Sequence, residues 1–169
     1  MSYLEMRKEM NATSGMFLRV KDGENRIRVV TEPLKIWKSF DKATKTAKVY
    51  VTEAGAAKDP EAKPRWMMYV INRDGNQLQV AEFGTQVMNQ FLDIATSTEG
   101  FENVDALMFD FILIKKGQLM ETEYTLQASR KETALTEEER IMLVKAKSIQ
   151  EILQNDKAVV DGGDMSVPF

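Results

Sequence analysis

The sequence predicts a mainly β protein with two helices: a small Greek-key β-barrel, then a C-terminal helix and a flexible acidic tail. Three observations lead there. Between Glu24 and Ser129 the apolar residues mostly alternate with polar ones, the period of a half-buried strand. Turn signals (KDG, RDGN, KKG) separate these alternating runs. Helical spacing is confined to two stretches, Thr85–Ala95 and Thr136–Asn155. A generic α+β sheet fits the same pattern and stays open as the alternative.

Taken in order, KDG (Lys21–Gly23) turns the chain into the alternating strand ENRIRVV (Glu24–Val30). LKIWKSF (Leu34–Phe40) alternates again, with Leu34, Ile36, Lys38 and Phe40 on one face and Lys35, Trp37 and Ser39 on the other. DKATKTA is a polar connection, and KVYVT (Lys48–Thr52) is the returning strand. EAGAAKDPEAKPR (Glu53–Arg65) has no periodicity and reads as an exposed loop. Trp66–Ile71 and Gln77–Phe83 flank the turn Arg73-Asp74-Gly75-Asn76 and form the clearest hairpin in the chain. The helix TQVMNQFLDIA follows, capped by Thr85 and apolar at Val87, Met88, Phe91, Leu92 and Ala95. After the loop STEGFENVD, Asp105–Gly117 and Gln118–Ser129 make a second hairpin around Lys115-Lys116-Gly117. Thr136 and Glu139 fit a capping box that opens the last helix, expected to run unbroken to about Asn155. These elements divide into a core at 1–131, a C-terminal helix at 132–156 and a disordered acidic tail at 157–169. A small Greek-key barrel with basic hairpin loops and one inserted helix suits the OB-fold.

Composition narrows the function. The chain has no Cys and no His, which removes disulfides, thiolate chemistry, histidine bases and the usual zinc ligands. The expectation is therefore a protein that is not an enzyme and holds no metal or cofactor. Acids at Glu137-Glu138-Glu139 are accounted for by the helix cap and dipole rather than by a metal. No apolar run reaches the length of a membrane span and MSYLEMRKEM lacks a signal core, so a soluble, cytoplasmic protein without a membrane role is expected. Charge is uneven: residues 19–52 hold nine bases and four acids, whereas residues 132–169 hold eight acids and four bases. Such asymmetry fits a polyanion binder with an interaction tail.

Bases and aromatics interleave along the predicted strands: Arg26, Arg28, Lys35, Trp37, Lys38, Phe40, Lys48 and Tyr50, then Arg65, Trp66, Tyr69 and Arg73. Single-stranded nucleic acid calls for that combination, cations along the phosphates and flat rings on which bases stack. Each aromatic taken alone is equally well explained as core. Trp37, between Lys35 and Lys38, is the strongest stacking candidate. Lys115 and Lys116 form a basic hairpin tip that fits either a phosphate contact or an ordinary soluble turn.

The segments DGENRIRVV (Asp22–Val30), LKIWKSF, RWMMYVINRDGNQLQVAEFG (Arg65–Gly84) and DFILIKKGQLMETEYTL (Asp110–Leu126), with the acidic tail, resemble phage-type single-stranded DNA-binding proteins of the OB-fold kind. The resemblance covers most of residues 20–130. The tail DGGDMSVPF looks like a shortened bacterial single-stranded DNA-binding protein C-terminus: Val167, Pro168 and Phe169 match its tip, and Asp161 and Asp164 supply acidity. Met165 and Ser166 stand where that family has further aspartates, and the Cys/His zinc cluster of some phage relatives is missing. The resemblance implies sequence-independent cover of single-stranded DNA during replication, recombination or repair. It further implies recruitment of replication or recombination proteins through the tail, in the host cytoplasm if the protein is viral. The competing expectation is a non-enzymatic interaction or virion-structural protein with no nucleic-acid role. Oligomeric state is not fixed by these features.

Overall fold

A computed structural model describes residues 2–3, 16–97, 109–132, 134–154 and 159–160. Its strands are β1 (Gly23–Val29), β2 (Leu34–Asp41), β3 (Thr46–Tyr50), β4 (Lys63–Asn72), β5 (Gln77–Phe83), β6 (Phe109–Lys116) and β7 (Glu123–Glu132). The helices are α1 (Glu53–Ala56), α2 (Thr85–Ser97), α3 (Glu137–Lys145) and α4 (Ile149–Gln154). The strands make one antiparallel sheet in the order β3-β2-β4-β1-β6-β7, with β5 also on β4. The expectation of a mainly β chain with helices holds.

β4 organises the sheet. Residues 63–67 pair with β2 and residues 70–72 pair with β1, while β5 pairs with 66–72. A strand has two edges, so β1 and β2 lie end to end along the edge opposite β5. At the handover the Val30 amide donates to the Tyr69 carbonyl (3.0 Å) and the Tyr69 amide donates to Thr31 Oγ1 (2.8 Å). Backbone groups that would otherwise be orphaned are thereby satisfied.

The expected barrel does not close. Among the described residues no ladder returns from β7 to β3 or β5, and the sheet is open. The outer edge of β7 is occupied instead by a side chain of α2. Gln90 Nε2 donates to the Tyr124 carbonyl and Gln90 Oε1 accepts from the Leu126 amide, both at 2.8 Å. A carboxamide that mimics a neighbouring peptide in this way blunts the edge.

Both faces of β4 are buried. Met68 and Val70 join Ile27, Val29, Ala81, Phe83, Phe111 and Leu113 beneath Val87, Met88 and Phe91 of α2. Met67 and Tyr69 join Ile36, Val49 and Val80 beneath Ile149 and Leu153 of α4. Alternation in β4 thus sends successive side chains into two separate cores.

Two segments differ from expectation. The last helix is not continuous: Ala146 is extended (φ −72°, ψ 146°), α4 starts afresh at Ile149, and the Tyr69 hydroxyl donates to the Lys147 carbonyl in the break. The intervening Ser148 Oγ accepts from the Glu151 amide and caps α4. Leu143 of α3 and Ile149 of α4, on either side of the break, both pack on the second core. Residues 53–65 are not all loop either. Thr52 Oγ1 accepts from the Gly55 amide and starts α1, and β4 begins at Lys63, ahead of Pro64. The capping box at Thr136 and Glu139 is present as expected. The β4–β5 turn also forms as read, with Gly75 (φ 88°) and Asn76 (φ 49°) taking its left-handed positions.

One buried charge network ties four of these elements together. Asp110 of β6 accepts from Arg73 Nε (3.1 Å) and Nη2 (3.2 Å) and lies 3.5 Å from Arg28 Nη1 of β1. Arg73 Nη1 donates to Glu139 Oε2 at 2.8 Å, and the other Glu139 oxygen accepts from the Thr136 amide. Two cations meet two anions, so the group is neutral overall. Burial opposes charge on Glu139, yet the hydrogen bonds from Arg73 and from the cap hold its carboxyl below the ordinary glutamate range.

Removing one member leaves a buried charge unpaired, so Arg73→Ala is expected to cost about 3–5 kcal/mol in urea denaturation. Lys21→Ala, which loses the exposed 3.3 Å pair with Asp74, is expected to cost under about 1 kcal/mol. The folded-state pKa of Glu139 is depressed, so its contribution is fully present above the unfolded value of about 4.3. That contribution is lost as pH falls through the folded value. The stability difference between wild type and Glu139→Gln should accordingly shrink in denaturation curves taken below pH ~4.

Candidate nucleic-acid interface

Beyond the two cores the sheet changes character. At the β2 end of β4 the register sets Lys35 against Trp66 and Trp37 against Pro64 and Tyr50. Lys35, Trp37 and Trp66 therefore share one face. Lys35 Nζ lies 5.2 Å from the Trp37 ring centre and 5.7 Å from that of Trp66. One ammonium over two indoles is worth about 0.5–1 kcal/mol per contact at an exposed site. An arriving base can displace the ammonium from a ring at that modest cost and leave the charge close by for a phosphate. Trp66 is half-buried against the first core and so is held in place, and Lys48 stands exposed on the same face.

The other face of β2 carries Lys38 and Phe40. Phe40 is 55% exposed. Glu82 of β5 accepts from Lys38 Nζ (3.2 Å) and Arg65 Nε (3.1 Å) and so fixes two cations side by side. Gly84 leaves room for the Arg65 guanidinium, because a Cβ there would lie 2.7 Å from Nη1. These groups line a cleft of about 720 Å³, together with Lys42, Lys63 and Glu61.

Other residues in the sequence-derived set are engaged inside the protein. Arg28 (3% exposed) and Arg73 belong to the buried charge network. The hydroxyls of Tyr50 and Ser39 both donate to Asp59 Oδ2, at 3.0 and 2.6 Å, and the loop carrying Asp59 folds over Tyr50 (8% exposed). The Ser39 hydrogen bond, ahead of the Glu61 amide and Tyr50, lowers the Asp59 pKa against a smaller opposing effect of burial. Tyr69 is core, and burial raises its phenol pKa. Arg28, Tyr50 and Tyr69 are buried, and Arg73 has its guanidinium engaged by two carboxylates. Arg26 is exposed on β1, opposite Ile112. Lys115 sits 3.8 Å from Asp22 at a hairpin tip on the Asp74 end of the sheet. Pro64 to Asn72 alone spans about 26 Å of strand at ~3.3 Å per residue, so Lys115 and Lys116 lie far from Trp37. Asp161, Asp164, Val167, Pro168 and Phe169 lie outside the described residues.

Lys42 and Lys63 went unrecognised in the sequence because both fall in stretches read as connections. The period-two step from Lys63 to Arg65 would have shown that they share a face, had the strand been extended across Pro64. Among the described residues no group of three or more acidic side chains could hold a metal ion, and no helix is long and apolar enough to cross a membrane. No protein-family model, curated protein or solved structure matches the chain.

Tyr50→Phe and Tyr69→Phe each remove one buried hydrogen bond. Each is expected to lower stability by about 1 kcal/mol in chemical denaturation, and neither should alter nucleic-acid affinity. A loss of affinity in Tyr50→Phe with stability unchanged would show that this ring faces ligand.

Proposed function

We propose that the protein binds single-stranded DNA without sequence preference, with Trp37 and Trp66 as stacking surfaces and Lys35 and Lys48 as phosphate contacts. The observation that carries this is the pair of partly exposed indoles gathered under one ammonium. Stacking favours any base, because every base has a π-face, while the lysines meet only phosphate. Supporting it, Lys38, Arg65, Lys42 and Lys63 add cations around Phe40 on the neighbouring cleft. The role is one of cover and delivery rather than catalysis, in replication, recombination or repair, in the cytoplasm of the cell or of a viral host. With it goes the finer fold reading, an OB-like curl in which the consecutive β1 and β2 act as one bent strand, related to phage single-stranded DNA-binding proteins. In the same reading Asp161, Asp164, Val167, Pro168 and Phe169 would recruit replication or recombination proteins, their acidic and apolar side chains complementing a basic, apolar pocket.

Fluorescence anisotropy with labelled oligo-dT and a duplex of equal length tests the proposal. Oligo-dT should bind more tightly, with affinity falling steeply as salt rises. Trp37→Ala should weaken binding by about 1–3 kcal/mol, and Lys116→Ala should do so by far less. Tight duplex binding with no affinity for oligo-dT would end the proposal. Equal, negligible losses in both variants would place the binding face elsewhere.

A further inference from the structure

The β2–β3 hairpin outruns the strand beside it. β4 begins at Lys63, which pairs with Lys38, so residues 39–47 continue past its end as a two-stranded arm. Alternation gives the arm two unlike faces. Lys35, Trp37 and Lys48 mark one, while Lys38 and Phe40 mark the other, beside Lys63 and Arg65. The turn at the tip carries Lys42 and Lys45, both exposed. Lys48, the two tip lysines and Lys63 thus mark a path from one aromatic, around the tip, to the other, with Asp41 and Asp59 set among them.

We propose that a bound single strand passes around the tip of this arm, stacking on Trp37 on one face and on Phe40 in the 720 Å³ cleft on the other. This rests on the assignment of Trp37 to single-strand binding, and it adds the way duplex is refused. A two-stranded ribbon is on the order of 10 Å thick, so a chain must reverse direction within a few nucleotides to touch both faces. A single strand can do so. Duplex DNA, with a persistence length of about 150 base pairs, cannot be bent so sharply at acceptable cost. Phe40 also fits this role better than a core role: the ring is more than half exposed, yet it is bordered by the two cations that Glu82 holds in place.

The test compares oligo-dT of about 16 and about 4 nucleotides, the range of site sizes for such folds. On the long oligonucleotide, Trp37→Ala and Phe40→Ala should each weaken binding roughly five- to 150-fold. Phe40→Trp should restore affinity and Phe40→Leu should not. On the short one, at most one of the two alanine substitutions should matter, because four nucleotides cannot reach both rings. Residual duplex binding should be unchanged by Phe40→Ala. Were Phe40→Ala and the pair Lys42→Ala/Lys63→Ala to leave long-oligonucleotide affinity within about twofold while Trp37→Ala weakened it, the strand would keep to one face and the wrapping would be wrong. Loss of neither ring mattering, or no oligo-dT binding at all, would overturn the single-strand assignment along with it.

Discussion

The two cores of the described structure share β4, a ten-residue strand that must satisfy neighbours on both edges and fill a core on each face. Its C-terminal half is locked between β1 and β5, and its N-terminal residues are given to β2. Alternate side chains therefore serve opposite cores in the middle of the strand. They serve opposite surfaces at its start, where helices no longer cover them. Trp66 and Arg65, adjacent in sequence, end up on opposite sides of the sheet for that reason alone. The two faces of the candidate interface are thus a consequence of where α2 and α4 stop.

The buried charge network complements this strand at its other end. A neutral cluster of Arg28, Arg73, Asp110 and Glu139 joins β1, the β4–β5 turn, β6 and the first turn of α3. Burying ions is costly compared with apolar packing, and their gain is geometric: each guanidinium donates to partners in the plane of its fork. That requirement fixes the approach of α3 to the sheet. Tyr69 then fixes the α3–α4 break from beneath. The charge network also withdraws Arg28 and Arg73 from any external polyanion.

Much of the fold was legible in the sequence because strands with a two-residue period announce which face is wet. The edges of β1, β2 and β5, the α2 helix and the Thr136 cap all fall within a residue or two of expectation. Long-range events were not legible. The β7 edge is partly taken by Gln90, whose carboxamide in a helix reads as an ordinary polar surface residue. The helix break is met by a hydroxyl 78 positions away from Lys147 in the chain, that of Tyr69. Composition cannot separate a solvated arginine from a buried one, so Arg28 and Arg73 looked like Arg26. Alternation alone placed Lys35 and Trp37 on one face, whereas Trp66 joins them only through the cross-strand pairing of β2 with β4.

In the proposed complex the indoles of β2 and β4, and not the hairpin tip at Lys115, meet the bases. Photocrosslinking of oligo-dT carrying 5-iodouracil, followed by mass-spectrometric mapping of the joined peptides, addresses this directly. Adducts at Trp37 and Trp66, with a further adduct at Phe40 or beside it, are the predicted result. Adducts confined to Lys115–Glu123 or to the β1 surface around Arg26, with both tryptophans unmodified, would contradict it.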